Sequence, residues 1–292
     1  MPIAQSRQGG SLLAAQEGAA TGVGGGLVGR VGLALTWHEL VERTRDRWVL
    51  IISVLFALLA AGTTLYGRSA EASAQALIGP SLVTLISLLV PLVGAVLGHD
   101  AIVGERERNT LGLLLSLPAS RFEIVVAKYV GRLLALSCAV GLGLGAAMAL
   151  AGAEQAAVLA QLIWPTLLLG ASFLAVGVLI STVASRQVTA ASMVVAMWFL
   201  FVFFYDLGLL ALLVASDGAI SQDAVGLLVF ANPAGLFRVE MMARFAGPEV
   251  LESLGMSVAL PGAMASAAIW SAWIAGPVLL SAALLARRKV GR

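Results

Sequence analysis

Long apolar runs, separated by short polar breaks, dominate the chain from residue 48 onward. A helix rises 1.5 Å per residue and needs about 20 residues to cross roughly 30 Å of hydrocarbon. Six stretches qualify: 48–66, 76–98, 129–151, 158–180, 188–214 and 263–285. The pattern predicts an all-α polytopic membrane protein with six transmembrane helices, built from residues 31–292. Residues 1–30 are rich in Gly, Ala, Ser and Gln and hold no apolar run of signal-peptide length, so they read as a disordered cytoplasmic tail.

Between tail and first span, residues 33–47 alternate with helical period. Leu33, Trp37, Leu40, Val41 and Thr44 share one face, and Glu39, Glu42, Arg43 and Asp46 the other. An amphipathic helix of this kind is expected to lie in the headgroup layer. Within the spans, Gly141, Gly143 and Gly145 are a helix-packing signal.

The one long polar interruption runs from Gly98 to Arg132 and carries His99, Asp100, Glu105, Arg106, Glu107, Arg108, Arg121, Glu123, Lys128 and Arg132. A short helix is expected to open at Glu105, with Glu105 and Arg108 paired on its surface and Leu111, Leu114 and Leu115 forming an apolar side. Pro118 ends it. Ser120 and Glu123 form a capping-box pattern that starts a second helix running into the third span. Helix, sharp corner and helix make a rigid projection, suited to being gripped by another protein; a plain hairpin between spans is the alternative.

Composition supports lipid as the solvent: 60% of residues are hydrophobic and 12% charged, against about 25% charged in soluble domains. A net charge of +2 with basic residues at segment ends gives no nucleic-acid surface. With the N-terminus inside, fifteen of the 18 basic residues face the cytoplasm, leaving Arg68, Arg238 and Arg244 outside. By the positive-inside rule both termini and the polar stretch are cytoplasmic. The single cysteine, Cys138, excludes an internal disulfide and reads as a packing residue.

Residues 215–262 are then an outer loop, in which Asn232-Pro233 looks like a helix start. Met241, Met242, Met256 and Met264 cluster there; packing is their ordinary role, and a soft-metal contact is the other chemistry thioethers support. Asp206, deep in the fifth apolar run, either lines a path through the membrane or holds a polar contact between helices, because a lone carboxylate in lipid is costly. No glycine-rich phosphate loop is present: the two lysines, Lys128 and Lys289, do not follow a glycine. His38 and His99 suggest no metal site. An intramembrane enzyme or assembly scaffold would need a buried catalytic pair, and only Asp206 is available.

The segment from Asp100 to Leu111 (DAIVGERERNTL), with Leu117-Pro118-Ala-Ser-Arg121 and Lys128-Tyr-Val-Gly131-Arg132, resembles the membrane subunit of type-two ATP-binding-cassette (ABC) exporters. The likeness covers about Leu33 to Arg288. It implies a cytoplasmic coupling helix seated on an ATPase subunit, an amphipathic elbow helix before the first span, and a homodimer in the bacterial inner membrane. It implies contact with the ATPase through Asp100, Glu105, Arg106, Glu107, Arg108, Thr110, Pro118 and Arg121. ATP and Mg would be bound by that partner, with no cofactor in this chain. Two further motifs, Trp198 to Leu207 (WFLFVFFYDL) and Asn232 to Arg238 (NPAGLFR), resemble the branch of NosY-like permeases that serve nitrous oxide reductase maturation. Asp206, Asn232, Pro233, Phe237 and Arg238 would then line the transport path or meet a periplasmic partner, and the cargo would be a sulfur species for a copper centre. The sequence departs from the branch at Gly235, where an acidic residue is usual.

Overall fold

In the computed structural model the described residues are 32–43, the five helical positions 54, 57, 58, 61 and 62, 78–217, 219–246 and 260–287. The predicted tail and most of the predicted first span lie outside them.

Among the described residues the secondary structure is entirely helical. Helix α1 covers residues 32–43. Then follow α2 (Ile78–Gly98), α3 (Val103–Glu107), α4 (Leu111–Leu115), α5 (Arg121–Leu150), α6 (Ala153–Val183) and α7 (Gln187–Phe199). A π turn, Leu200–Phe204, joins α7 to α8 (Tyr205–Ala215), and α9 (Gln222–Ala231), α10 (Pro233–Ala246) and α11 (Ala263–Arg287) complete the chain. Five stretches are long and apolar enough to cross a membrane: Gly79–Glu107, Arg121–Leu150, Ala156–Val183, Gln187–Ala215 and Ala263–Arg287. α9 and α10 meet at Asn232 with a bend of 114°.

The core is aliphatic and centres on α6, the most enclosed span. Val90, Leu97, Leu136, Ala139, Leu144, Leu162, Leu169 and Phe173 are all nearly inaccessible and form one cluster. α2 and α6 approach backbone to backbone. A methyl group added at Gly94 would lie 2.5 Å from the Gly170 carbonyl oxygen, and one at Gly98 would lie 2.6 Å from that of Leu174. Small residues drive helix association in lipid through such close contact. Gly141 and Gly145, the expected packing signal, instead meet nothing within 4 Å, and Cys138 beside them is exposed on the chain's surface. The cause is helical phase: Leu136, Ala139, Val140 and Gly143 point α5 into the core, and the other face carries Leu134, Cys138 and Gly141.

The span α7–π–α8 is the least enclosed. It is held at a few points: the Trp198 indole N–H donates to the Leu88 carbonyl at 2.8 Å, and the Phe201 ring meets Trp273 edge-on at 5.4 Å.

Candidate functional site

The polar stretch folds differently from one continuous helix. Asn109 takes a left-handed backbone, φ 58°, which asparagine tolerates better than most residues. The Thr110 N–H reaches back to the Glu105 carbonyl at 3.0 Å and the Asn109 N–H to that of Arg106 at 3.1 Å. These are the two bonds of a Schellman cap. They end α3 and re-aim the chain into α4. The expected capping box at the start of α5 is present: the Glu123 N–H donates to Ser120 Oγ at 3.2 Å and the Ser120 N–H to Glu123 Oε2 at 2.7 Å.

Each member of the Glu105-Arg106-Glu107-Arg108 tetrad reaches a different segment. Glu105 pairs with Lys128 at 2.9 Å and accepts from the Thr110 hydroxyl, so it does not pair with Arg108 as expected. Arg106 donates to the Ala184 carbonyl at 2.5 Å, closing the end of α6. Glu107 accepts from the Gln187 N–H at 2.8 Å, capping the start of α7. Arg108 faces Glu42 of α1 at 3.5 Å. From α6, the buried Ser181 hydroxyl accepts from the Ile102 and Val103 N–H groups at 2.9 and 3.0 Å. Those are orphan donors at the start of α3.

Beneath the tetrad lies a buried ion-pair network. Arg132, 1% exposed, binds Asp100 and Glu39 and donates to the Leu97 carbonyl at 2.6 Å. Lys128 joins Glu39 to Glu105, and Arg43 reaches Asp100 at 2.8 Å. Three cations thus meet three anions drawn from α1, the α2–α3 turn, α3 and α5. Burial pushes the Glu39 carboxyl up, but the nearby charges of Arg132 and Lys128 outweigh it, so its pKa lies below the ordinary carboxylate value.

The network adds a direction to the two faces of α1. Its charged face turns into the protein, with Glu39 and Arg43 at 4% and 9% exposure, while Leu33 and Trp37 are exposed. The sequence reading paired neither residue with Lys128 or Arg132. The available signal was Gly131: a methyl group there would lie 2.6 Å from Glu39 Cβ, so only glycine lets α1 lie this close.

Asp100 is buried and Glu105 and Arg106 are committed to the chain itself, which leaves little of them for a docked subunit. The exposed residues of the projection are Gly112, Leu113, Ser116, Pro118, Ser120 and Phe122, with Glu107, Arg108 and Asn109 beside them and Arg121 half-buried.

At the other end of the spans the two aromatic-rich motifs meet. Asn232, fully buried, donates its amide to the Phe201 carbonyl in the π turn at 2.6 Å and accepts from the Ala234 N–H at 3.0 Å. It caps α10, with Pro233 in the first helical position. Arg238 pairs with Asp206 at 2.5 Å, and the Tyr205 hydroxyl donates to the Leu228 carbonyl at 2.6 Å. Asp206 therefore makes the interhelical contact, with both partners partly exposed. Pro233 and Phe237 are buried within the fold. At Gly235 a methyl group would lie 2.5 Å from the Val229 carbonyl oxygen, so this backbone excludes an acidic side chain there.

Residues 33–290 match the sequence profile of the ABC-2 family transporter proteins. The chain belongs to the ABC-2 transporter family. This ABC-2 permease is also 38% identical over 269 residues to a protein of Stutzerimonas stutzeri described as "Probable ABC transporter permease protein NosY", covering 86% of this chain and 96% of the relative. A protein of the same description from Pseudomonas aeruginosa is 35% identical over 267 residues, with the same two coverages. Seven of the tetrad and network residues, Asp100, Glu105 to Arg108, Lys128 and Arg132, fall in the motifs that carried the resemblance. The permease is a membrane-embedded, multi-pass subunit, and this family implies an ATPase partner.

Proposed function

We propose that this ABC-2 permease moves a substrate across the bacterial inner membrane, driven by ATP hydrolysed on a separate cytoplasmic subunit. Two copies of the chain form the transmembrane unit, each presenting one projection to one ATPase, and ATP and Mg stay on that partner. The observation that carries the reading is the apolar tip, Leu113, Pro118 and Phe122, standing on a base that the tetrad ties to α1, α5, α6 and α7. An apolar tip gains from burial in a partner's cleft, and a bolted base passes displacement to the spans instead of flexing. The charge bias of the sequence supports a cytoplasmic side for the projection and both termini. The exposed side of Asp206 and Arg238, with α9 and α10, is then the face offered to a periplasmic partner.

For the cargo, the NosY relatives support a sulfur species used to assemble the copper centre of nitrous oxide reductase. The closed space at Gly235, where the branch carries an acid, favours a second reading, export of another small molecule, drug or lipid by the same machinery.

Two measurements test this. Leu113→Asp with Phe122→Asp should abolish co-purification of an ATPase from mild detergent while leaving the melting temperature of the permease near wild type. Retained ATPase in that variant refutes the docking role. Nitrous oxide reductase from cells lacking the chain should lack the sulfide of its copper centre; full sulfide content rules out the sulfur cargo and leaves the second reading.

A further inference from the structure

At the membrane face opposite the ion-pair network, α6, α10 and the approach to α11 enclose a groove of about 790 Å³. Small-molecule sites occupy about 300–1,000 Å³. Gln161 lines the groove and Ser181 supports the network. The helix between them spans about 30 Å at 1.5 Å per residue, so the two sites lie on opposite sides of the bilayer.

The groove has two kinds of surface. Its floor is apolar and contains Leu168, Met241 and Trp270, the last two almost fully buried. Trp164, 68% exposed, stands at its edge, and indole rings favour the boundary between lipid and water. The rim carries Glu240 and Arg244, one turn apart on α10. Side chains at this spacing have Cβ atoms about 5–6 Å apart. Among the described residues neither is within ion-pair distance of the other or of any third group.

We propose that this groove seats one phospholipid with a zwitterionic, amine-bearing headgroup. The phosphate lies at Arg244, the ammonium at Glu240, and an acyl chain runs along Leu168, Met241 and Trp270. Charge complementarity selects this occupant. A soluble zwitterion leaves the apolar floor unused, and an anionic headgroup brings a phosphate to Arg244 but nothing for Glu240. The surrounding solvent supplies the ligand, so no separate delivery is needed. The proposal does not depend on cargo or ATPase docking.

The test uses the full chain in nanodiscs containing equal amounts of phosphatidylethanolamine and phosphatidylglycerol, followed by native mass spectrometry. One phosphatidylethanolamine per chain should survive mild activation. Glu240→Gln and Arg244→Gln should each cut that retention roughly tenfold, the loss expected for one charge-assisted contact. Ala267→Trp, which fills the groove, should abolish it. Equal retention of both lipids, or unchanged retention in Ala267→Trp, overturns the proposal and leaves annular lipid only. A second readout needs no core variant: phosphatidylethanolamine brominated on its chains should quench tryptophan emission more than brominated phosphatidylglycerol. Equal quenching counts against the site just as firmly.

Discussion

Gly131→Ala adds one methyl group where α1 crosses α5, between the two cations that hold Glu39. That methyl would sit 2.6 Å from Glu39 Cβ and 2.8 Å from the Thr36 carbonyl oxygen. Carbon atoms rest at about 3.5–4.0 Å, so α1 must withdraw by roughly 1 Å. Neither obstacle is the free end of a flexible side chain, so rotamer changes bring no relief. The Arg132–Glu39 contact at 3.2 Å and the Arg43–Asp100 contact at 2.8 Å would then stretch past good hydrogen-bond geometry. Overpacking costs about 1–3 kcal/mol, and alanine's better helix propensity returns at most about 1 kcal/mol. A net loss of about 1–2 kcal/mol lowers the melting temperature of a chain this size by roughly 2–8 °C. The assay is thermal unfolding of the detergent-solubilised chain followed by tryptophan fluorescence, with limited proteolysis of α1 alongside. Gly141→Ala is the internal control, since nothing lies within 4 Å of it; it should be neutral or slightly stabilising. Wild-type melting of Gly131→Ala, or equal shifts in both variants, would refute the packing argument.

Glu39→Gln leaves Lys128 and Arg132 with an uncompensated buried charge and should cost about 3–5 kcal/mol, read as a lower melting temperature at pH 7. Because the Glu39 pKa is depressed in the folded state, its contribution is complete above the ordinary value near 4.5 and fades as pH falls through the lower native value. The gap between wild type and Glu39→Gln should therefore narrow as the melting buffer is taken below about pH 4; a constant gap contradicts the assignment. Asn232→Ala removes a buried amide from the Phe201 carbonyl and the cap from α10, costing about 1–3 kcal/mol; faster amide exchange around the π turn is the measurement. Reversing both Glu105 and Glu107 to Lys should lower the melting temperature as well as ATPase recovery, because both carboxylates hold the permease's own segments. Lost recovery with an unchanged melting temperature would restore them to the docking surface.

Periodicity and turn chemistry carried most of the architecture. Apolar run length reported the five spans among the described residues because lipid leaves few alternatives to a helix. Ser120 with Glu123, and Asn232 with Pro233, announced their caps because capping is local chemistry. Partner choice was far less legible. Glu105 looked paired to Arg108 three residues away, yet Lys128 and Thr110 hold it, since tertiary contacts override a weak surface pair. The helix break at Asn109 required reading asparagine as a left-handed cap instead of a helix residue. For α1, amphipathicity separated the two faces but did not name the partners of the polar one, because Lys128 and Arg132 come from a segment far along the chain. The π turn had no sequence signal beyond its aromatic run, because its stabilising amide comes from Asn232, 31 residues later.

The ion-pair network also sets an order of events during synthesis. Glu39 and Arg132 are 93 residues apart, and chains elongate at about 5–20 residues per second. For roughly 5–20 seconds after Glu39 is made, Arg132 has yet to be added. Asp100 and Arg108 are made earlier and can meet Arg43 and Glu42, but Glu39 must wait for Lys128 and Arg132. Closure of the network therefore comes after the third predicted span has begun to insert. A nascent chain stalled before residue 128 should leave α1 accessible to protease, and one stalled far enough beyond 132 for that residue to have left the ribosome should not.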